Sequence, residues 1–248
     1  MYGLGHFFIF AGSAFKTIPA RPYRVEEFFK HMDFVGTGSV SIIFLTGMFT
    51  GMALSLQIWL GFSMVGMSDL VGPTVALGIF RELGPVLTGL LVSARAGGAM
   101  AAQLGTMRVS EQIDALRVMG VDPIQYLVMP RILASIVVLP LLCGFFDFIA
   151  MLGSYGLSVY VLEVDGALFI DKIQSWIKPS DVYQGMFKAA IFGLIFSLIC
   201  THRGFYTKGG ARGVGEATNR GVVVSMVTII IASYVLTNFI RLYFHFVE

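Results

Sequence analysis

Residues 40–60, VSIIFLTGMFTGMALSLQIWL, contain no Asp, Glu, Lys or Arg. A run of this kind leaves few folds open. Backbone inside hydrocarbon must satisfy its own N–H and C=O groups, which restricts it to helices or closed barrels. About 20 apolar residues in a helix, at about 1.5 Å each, cover a hydrocarbon core of about 30 Å. Further apolar stretches follow near 73–105, 131–161, 183–201 and 220–244. The chain therefore reads as all-α, a polytopic helical membrane protein with about five transmembrane helices. Its composition agrees, with 56% hydrophobic and 13% charged residues, where soluble domains carry roughly 25% charged residues. Mean hydropathy is +0.80.

Residues 1–38 form a separate N-terminal segment ahead of a transmembrane domain over 39–248. No Lys or Arg precedes the apolar MYGLGHFFIFAGSAF, while Lys16, Arg21, Arg24 and Lys30 follow it. That order suits an uncleaved interfacial helix better than a signal peptide. The second stretch is longer than one span needs and carries Arg81, Glu82 and Arg95, so it must tilt, bend or protrude. Pro85 after Gly84 predicts a kink. The third has Pro130 at its entry, Pro140 inside and Asp147 beyond; it reads as one long broken helix, with two short re-entrant pieces as the alternative. Residues 163–181 are polar, with Phe169, Ile173, Trp176 and Ile177 at helical spacing, which predicts an amphipathic surface helix. Gly47 and Gly51 form a GxxxG pair that serves either a dimer contact or nothing beyond a Gly-rich composition.

Lys and Arg favour the cytoplasmic side. They gather in the N-terminal segment, after the second stretch (Arg108, Arg117, Arg131) and before the fifth (Arg203, Lys208, Arg212, Arg220). The 61–72 loop has none, and in 163–181 Lys172 and Lys178 are outnumbered by Glu163, Asp165, Asp171 and Asp181. This predicts a cytoplasmic N-terminus and an external C-terminus. The net charge of +2, without a continuous basic stripe, gives no reason to expect nucleic acid. Cys143 and Cys200 lie in apolar stretches as buried thiols, and His6, His31, His202 and His245 lack ligand spacing, so no metal is expected.

Chemistry concentrates in two places. The loop TMRVSEQIDALRVMGVDP reads as a short helix over 109–120, with Ile113, Leu116 and Met119 on one side and Glu111, Asp114 and Arg117 on another. Gly120 suits its C-terminal cap and Pro123 prevents continuation. It is either a peg for a groove on a partner or a solvated loop helix. Arg81 and Glu82, inside an apolar span, would each cost several kcal/mol facing lipid. Arg81 suits a phosphate, and Glu82 an amine or Arg81 itself; a structural ion pair is the alternative. Arg95 reads as snorkelling to the interface, and Asp147 as a candidate partner for Lys188. No GxxxxGK[ST] phosphate loop is present, so ATP hydrolysis would need another chain.

The run RELGPVLTGLLVSARAGGAMAAQLGTMRVSEQIDALRVMGVDPIQYLVMPRILA (81–134) resembles the signature region of the MlaE (YrbE) permease family of MCE-type ABC lipid transporters, and GGARGVGEATNRGVVVS (209–225) is similar to its second cytoplasmic motif. The resemblance implies a non-catalytic permease subunit, homodimeric, multi-pass in the bacterial inner membrane. It implies a cytoplasmic MlaF-like ATPase that binds ATP and magnesium, so that no cofactor belongs to this chain. It also implies a periplasmic MlaD-like MCE hexamer, a MlaB-like STAS protein, and transport of phospholipid in support of outer-membrane asymmetry. Glu111, Ile113, Asp114, Leu116, Arg117, Met119 and Gly120 would form the coupling helix, and Arg81 and Glu82, with Leu54, Gln57 and Leu83, would line the lipid cavity. The competing reading is an ATP-independent secondary transporter or channel for an amphipathic substrate, which favours inverted repeats. A membrane-embedded lipid enzyme would need clustered His and Asp, which the sequence lacks.

Overall fold

The computed structural model describes residues 4–17 and 25–247. Arg21 and Arg24, used above for orientation, lie outside the described residues. Among the described residues all regular structure is helical, with no strand. In chain order the elements are α1 (Leu4–Lys16), α2 (Val25–Ser63), a 3₁₀ turn (Ser68–Leu70), α3 (Val71–Gly78), a π turn (Ile79–Leu83), α4 (Gly84–Val92), a second π turn (Ser93–Gly97), α5 (Gly98–Val109), α6 (Gln112–Val118), a third π turn (Ile124–Val128), α7 (Met129–Tyr160), α8 (Gly166–Trp176), α9 (Pro179–Phe205) and α10 (Gly210–Val247).

Five helical runs are long and apolar enough to cross a membrane: Val25–Ser63, Ser68–Val109, Ile124–Tyr160, Pro179–Phe205 and Gly210–Leu242. The expected number holds, but their extents differ from the apolar runs. The first helix begins at Val25, well before the run at 40, because Glu26 and Glu27 sit in its first turn, where acids complement the helix dipole. The third stretch is one helix, with Pro140 accommodated inside α7; two re-entrant pieces are not what the chain forms. Two π turns interrupt the second run, and Pro85 stands at the start of α4, directly after the first of them.

The chain packs as two units, and each long helical run contributes residues to both. One unit comprises the described residues of 1–39, 89–138 and 190–232. Its core gathers Phe10 and Ala14 of α1, Leu104, Ile113, Leu127, Val128, Ile132, Leu198 and Phe205. Helices approach closely at glycines here: a Cβ at Gly193 would press on the Ser135 carbonyl oxygen, and one at Gly204 on that of Ala101. Arg95 reaches across to α2. Its guanidinium donates to the Phe34 carbonyl at 2.7 Å and to Ser39 Oγ at 3.3 Å, and stands 5.2 Å from the Phe34 ring centre. Gly38 leaves the room it occupies.

The other unit comprises the described residues of 40–88, 139–189 and 233–248. Its main seam joins α2 to α7. Gly47 lies against Phe146, Gly51 against the Ala150 carbonyl, and Gly153 against the Met48 carbonyl. Ser55 Oγ meets Ser154 Oγ at 2.5 Å, farther along the same seam. The Gly47/Gly51 pair therefore serves a contact within the chain. Asp165 caps α8 by accepting from the backbone N–H groups of Ala167 (2.8 Å) and Leu168 (3.2 Å). Phe169 of α8 is buried against Gly72 of α3 and lies edge-on to Tyr155, with ring centres 5.6 Å apart.

Candidate functional site

The site grows from the π turn that precedes Pro85 in the second unit. Pro85 has no N–H to offer the Arg81 carbonyl, four residues earlier, and Lys188 Nζ of α9 donates to that oxygen at 2.8 Å. One turn before Lys188, Gly185 lies so close that a Cβ there would land on the Phe80 carbonyl oxygen. Helix α9 thus docks on irregular backbone through a glycine and a lysine on the same face. The π turn over Ile79–Leu83 lies at this spot; such turns recur at functional sites.

Two ion pairs follow. Arg81 donates from Nε (2.9 Å) and Nη2 (2.8 Å) to Asp181 Oδ1. Asp181 is held in turn by the start of α9, where Pro179 occupies the first helical position and Asp181 Oδ2 accepts from the Lys178 N–H at 3.0 Å. Lys188 Nζ meets Glu82 Oε1 at 2.8 Å and Thr237 Oγ1 at 2.8 Å. Glu82 also accepts from Thr237 (2.9 Å) and Ser233 (3.3 Å) of α10. The adjacent Arg81 and Glu82 therefore pair with Asp181 and Lys188 on α9, not with each other.

The donor inventory separates their roles. An ammonium has three N–H donors, and Lys188, 2% exposed, directs bonds to three acceptors. A guanidinium has five. Arg81 uses two on Asp181, and its side chain is 49% exposed. Of the two cations, Arg81 is the one able to receive a ligand.

It faces a cavity of about 1000 Å³ lined by Arg81, Glu82, Asp181, Lys188, Asn238 and Arg241 among others. Next to it is a cavity of about 610 Å³ lined by Tyr183, Phe187, Leu236 and Phe239; both cavities share Ser180, Gln184 and Ile240. A charged compartment adjoining an apolar one can take an amphipathic molecule with its head on Arg81. Leu54, Gln57 and Leu83 line neither cavity.

Lys188 does not reach Asp147, the pairing entertained from sequence. Asp147 is 3% exposed, its carboxyl approaches Cys143 Sγ at 3.8 Å, and Oδ1 presses against Gly84 with no hydrogen-bond partner among the described residues. Asp181, Ser233 and Thr237 are absent from the site that the sequence outlines. The seven-residue spacing from Asp181 to Lys188, two turns on one helix face, is the signal that could have found the first of them.

In the first unit, the 109–120 segment forms a turn and then α6. Glu111 adopts a left-handed conformation, φ 59°, between α5 and α6. At the far end Gly120 (φ 76°) closes a double C-cap, with Gly120 N–H donating to Arg117 O and Val121 N–H to Leu116 O, both at 3.0 Å. Arg108 and Arg117 both reach Asp114 Oδ1, at 2.6 and 3.3 Å. Ile113 is fully buried and Leu116 half-buried on the unit's core, so these two anchor the peg. Val118 (89%) and Met119 (67%) stand exposed at its tip.

Comparison with known proteins bears on both regions. A family profile described as Permease MlaE matches residues 28–239. A "Probable ABC transporter permease protein" of Rickettsia conorii is 38% identical over 235 residues, covering 95% of this chain and 91% of that protein. Another protein so named, from Synechocystis, is 36% identical over 93% of this chain and 88% of its own length. The chloroplastic protein TRIGALACTOSYLDIACYLGLYCEROL 1 of Arabidopsis thaliana is 41% identical over 85% of this chain and 60% of its own length.

Proposed function

The chain belongs to the MlaE family of ABC transporter permeases, and on that premise we propose that it carries phospholipid between the bacterial inner membrane and the periplasm, in support of outer-membrane lipid asymmetry. The observation that carries this reading is the charged cavity around Arg81 sharing a wall with the apolar cavity of Tyr183, Phe187, Leu236 and Phe239. A phosphate on the spare Arg81 donors, with acyl chains along the apolar wall, uses both compartments at once. Glu82 and Lys188 hold the irregular backbone that aims Arg81. A relative named after a galactolipid supports a lipid substrate.

In this reading the permease is a homodimer with its N-terminus in the cytoplasm and its C-terminus in the periplasm. A separate MlaF-like ATPase supplies ATP hydrolysis and receives the peg of residues 109–120. A MlaB-like STAS protein sits on the ATPase, and a MlaD-like MCE hexamer caps the periplasmic side. ATP-driven closure of the motor pushes the peg, which is continuous in chain with the helical run carrying Arg81 and Glu82, and the cavity is squeezed or reopened.

The test is transport of a fluorescent phospholipid by the complex reconstituted in proteoliposomes. Arg81→Ala should lower ATP-dependent transfer roughly ten- to a hundredfold, since a charge-assisted contact is worth about 1.5–3 kcal/mol. Undiminished transfer in that variant, or equal transfer without the ATPase, would refute the assignment.

A further inference from the structure

A third cavity, in the unit that carries α1, has no part in the function proposed above. Helix α9 ends at Phe205 and α10 begins at Gly210. Gly209 and Gly210, at φ 90° and 67°, adopt the left-handed backbone that reverses the chain in so short a space. Between the two helix ends lies a cavity of about 130 Å³, lined by Arg203, Lys208, Arg220, Glu216, His202 and Tyr206 among others. Three cations face one carboxylate. Glu216 is shared between Arg220 at 3.6 Å and Arg212 at 3.7 Å; all three side chains are more than half exposed, so those contacts hold Arg220 only loosely.

His202 contributes differently. It is 6% exposed, and its Nε2 has no hydrogen-bond partner among the described residues. Buried polar atoms are normally paired, and one that is not calls for an explanation, such as an absent ligand or ion. The ring is fixed by aromatic contacts to Phe10 (5.1 Å), Phe7 (5.4 Å) and Tyr206 (5.1 Å). The ring is thus held in position in the wall of a cationic cavity.

We propose that this cavity binds the phosphodiester of an anionic phospholipid at the membrane surface. Two observations favour a lipid. The cavity lies where two candidate spans meet, and basic pockets between such helices suit anionic head groups. Helix α1 packs on the same turn through His6–Tyr206 and Phe10–Tyr206 contacts, at 5.1 and 5.8 Å. On its other side Phe8 and Ile9 are 68% and 69% exposed. Exposed apolar side chains beside a cationic cavity match the acyl–headgroup boundary. Selectivity follows from the surplus of cations lining the cavity, which favours a head group of net negative charge over a zwitterionic one.

Native mass spectrometry of the detergent-purified complex tests this with phosphatidylglycerol, phosphatidylcholine and inorganic phosphate as probes. The wild type should retain phosphatidylglycerol in preference to phosphatidylcholine. Arg203→Gln with Arg220→Gln should weaken that retention about thirtyfold, at about 1 kcal/mol per cation. The Lys versions of both should keep it, and His202→Phe, which preserves the aromatic packing, should weaken it severalfold. Unchanged phosphatidylglycerol retention in the double Gln variant overturns the proposal. So does equal competition by inorganic phosphate, which would mark a free-anion site. Loss of the ATPase from the complex with lipid retention intact would make the cavity a protein contact and likewise overturn it. None of these outcomes depends on Arg81, so failure here leaves the transport reading untouched.

Discussion

At the scale of single residues, the Glu82–Lys188 pair is asymmetric. Lys188 is 2% exposed, whereas the Glu82 side chain is 42% exposed on the cavity. Removing the carboxylate strands a buried cation, which costs about 3–5 kcal/mol. Removing the cation leaves a carboxylate that is still hydrated and still bonded to Ser233 and Thr237, with unpaired acceptors costing about 1–3 kcal/mol. Glu82→Leu should therefore lower the melting temperature in detergent more than Lys188→Met, and the double variant should recover part of the Glu82→Leu loss. The reverse order would show that Lys188 is not held as described. Arg81 and Glu82 were legible in the sequence because charge inside an apolar run is costly. Their partners were not, because pairing across about a hundred residues depends on the register between helices. That register is set here by Pro85 and Gly185. Asp181, read as one more acid in an outside loop, is instead the buried anchor of Arg81.

Elements were legible where hydropathy alone decides and obscure where backbone hydrogen bonding does. The five spans follow from apolar length. The π turns do not, since shifting the hydrogen-bond register by one residue leaves no mark in composition. Nor does hydropathy report where α2 begins, because its first turns are polar yet helical. Close packing by glycine gives the sharpest test at this scale. Gly51 of α2 and Gly153 of α7 meet opposing backbone carbonyls, whereas a Cβ on Gly144 of α7 would meet nothing within 4 Å. Gly51→Ala and Gly153→Ala should each destabilise the protein by about 1–3 kcal/mol through overpacking. Gly144→Ala should instead stabilise it by about 0.4–1 kcal/mol by lowering unfolded-chain entropy. Thermal unfolding of the three single variants checks both signs, and equal shifts would mean that the α2–α7 seam is looser than described.

For the whole molecule, the question is which residues of the 109–120 segment are free to make the contact proposed for it and which support the fold. The sequence outlined the peg through its Gly and Pro stop signals, but the two roles share one helical period and could not be told apart there. Burial separates them. Ile113 lies in the core with Phe10, Leu104 and Phe205, while Val118 and Met119 are exposed beyond the Asp114 ion pairs. Ile113→Ala should act through stability, costing about 2–5 kcal/mol as a core truncation, and any loss of ATPase should follow the loss of folded permease. Val118→Asp with Met119→Asp should leave the stability within about 0.5 kcal/mol of wild type, as surface changes do. If the tip enters an apolar groove on the ATPase, the same pair of changes should abolish co-purification of that subunit, because two carboxylates would be buried there without partners. Retention of the ATPase by this double variant, with transport unimpaired, would move the coupling contact off the peg and onto another exposed segment of the same face.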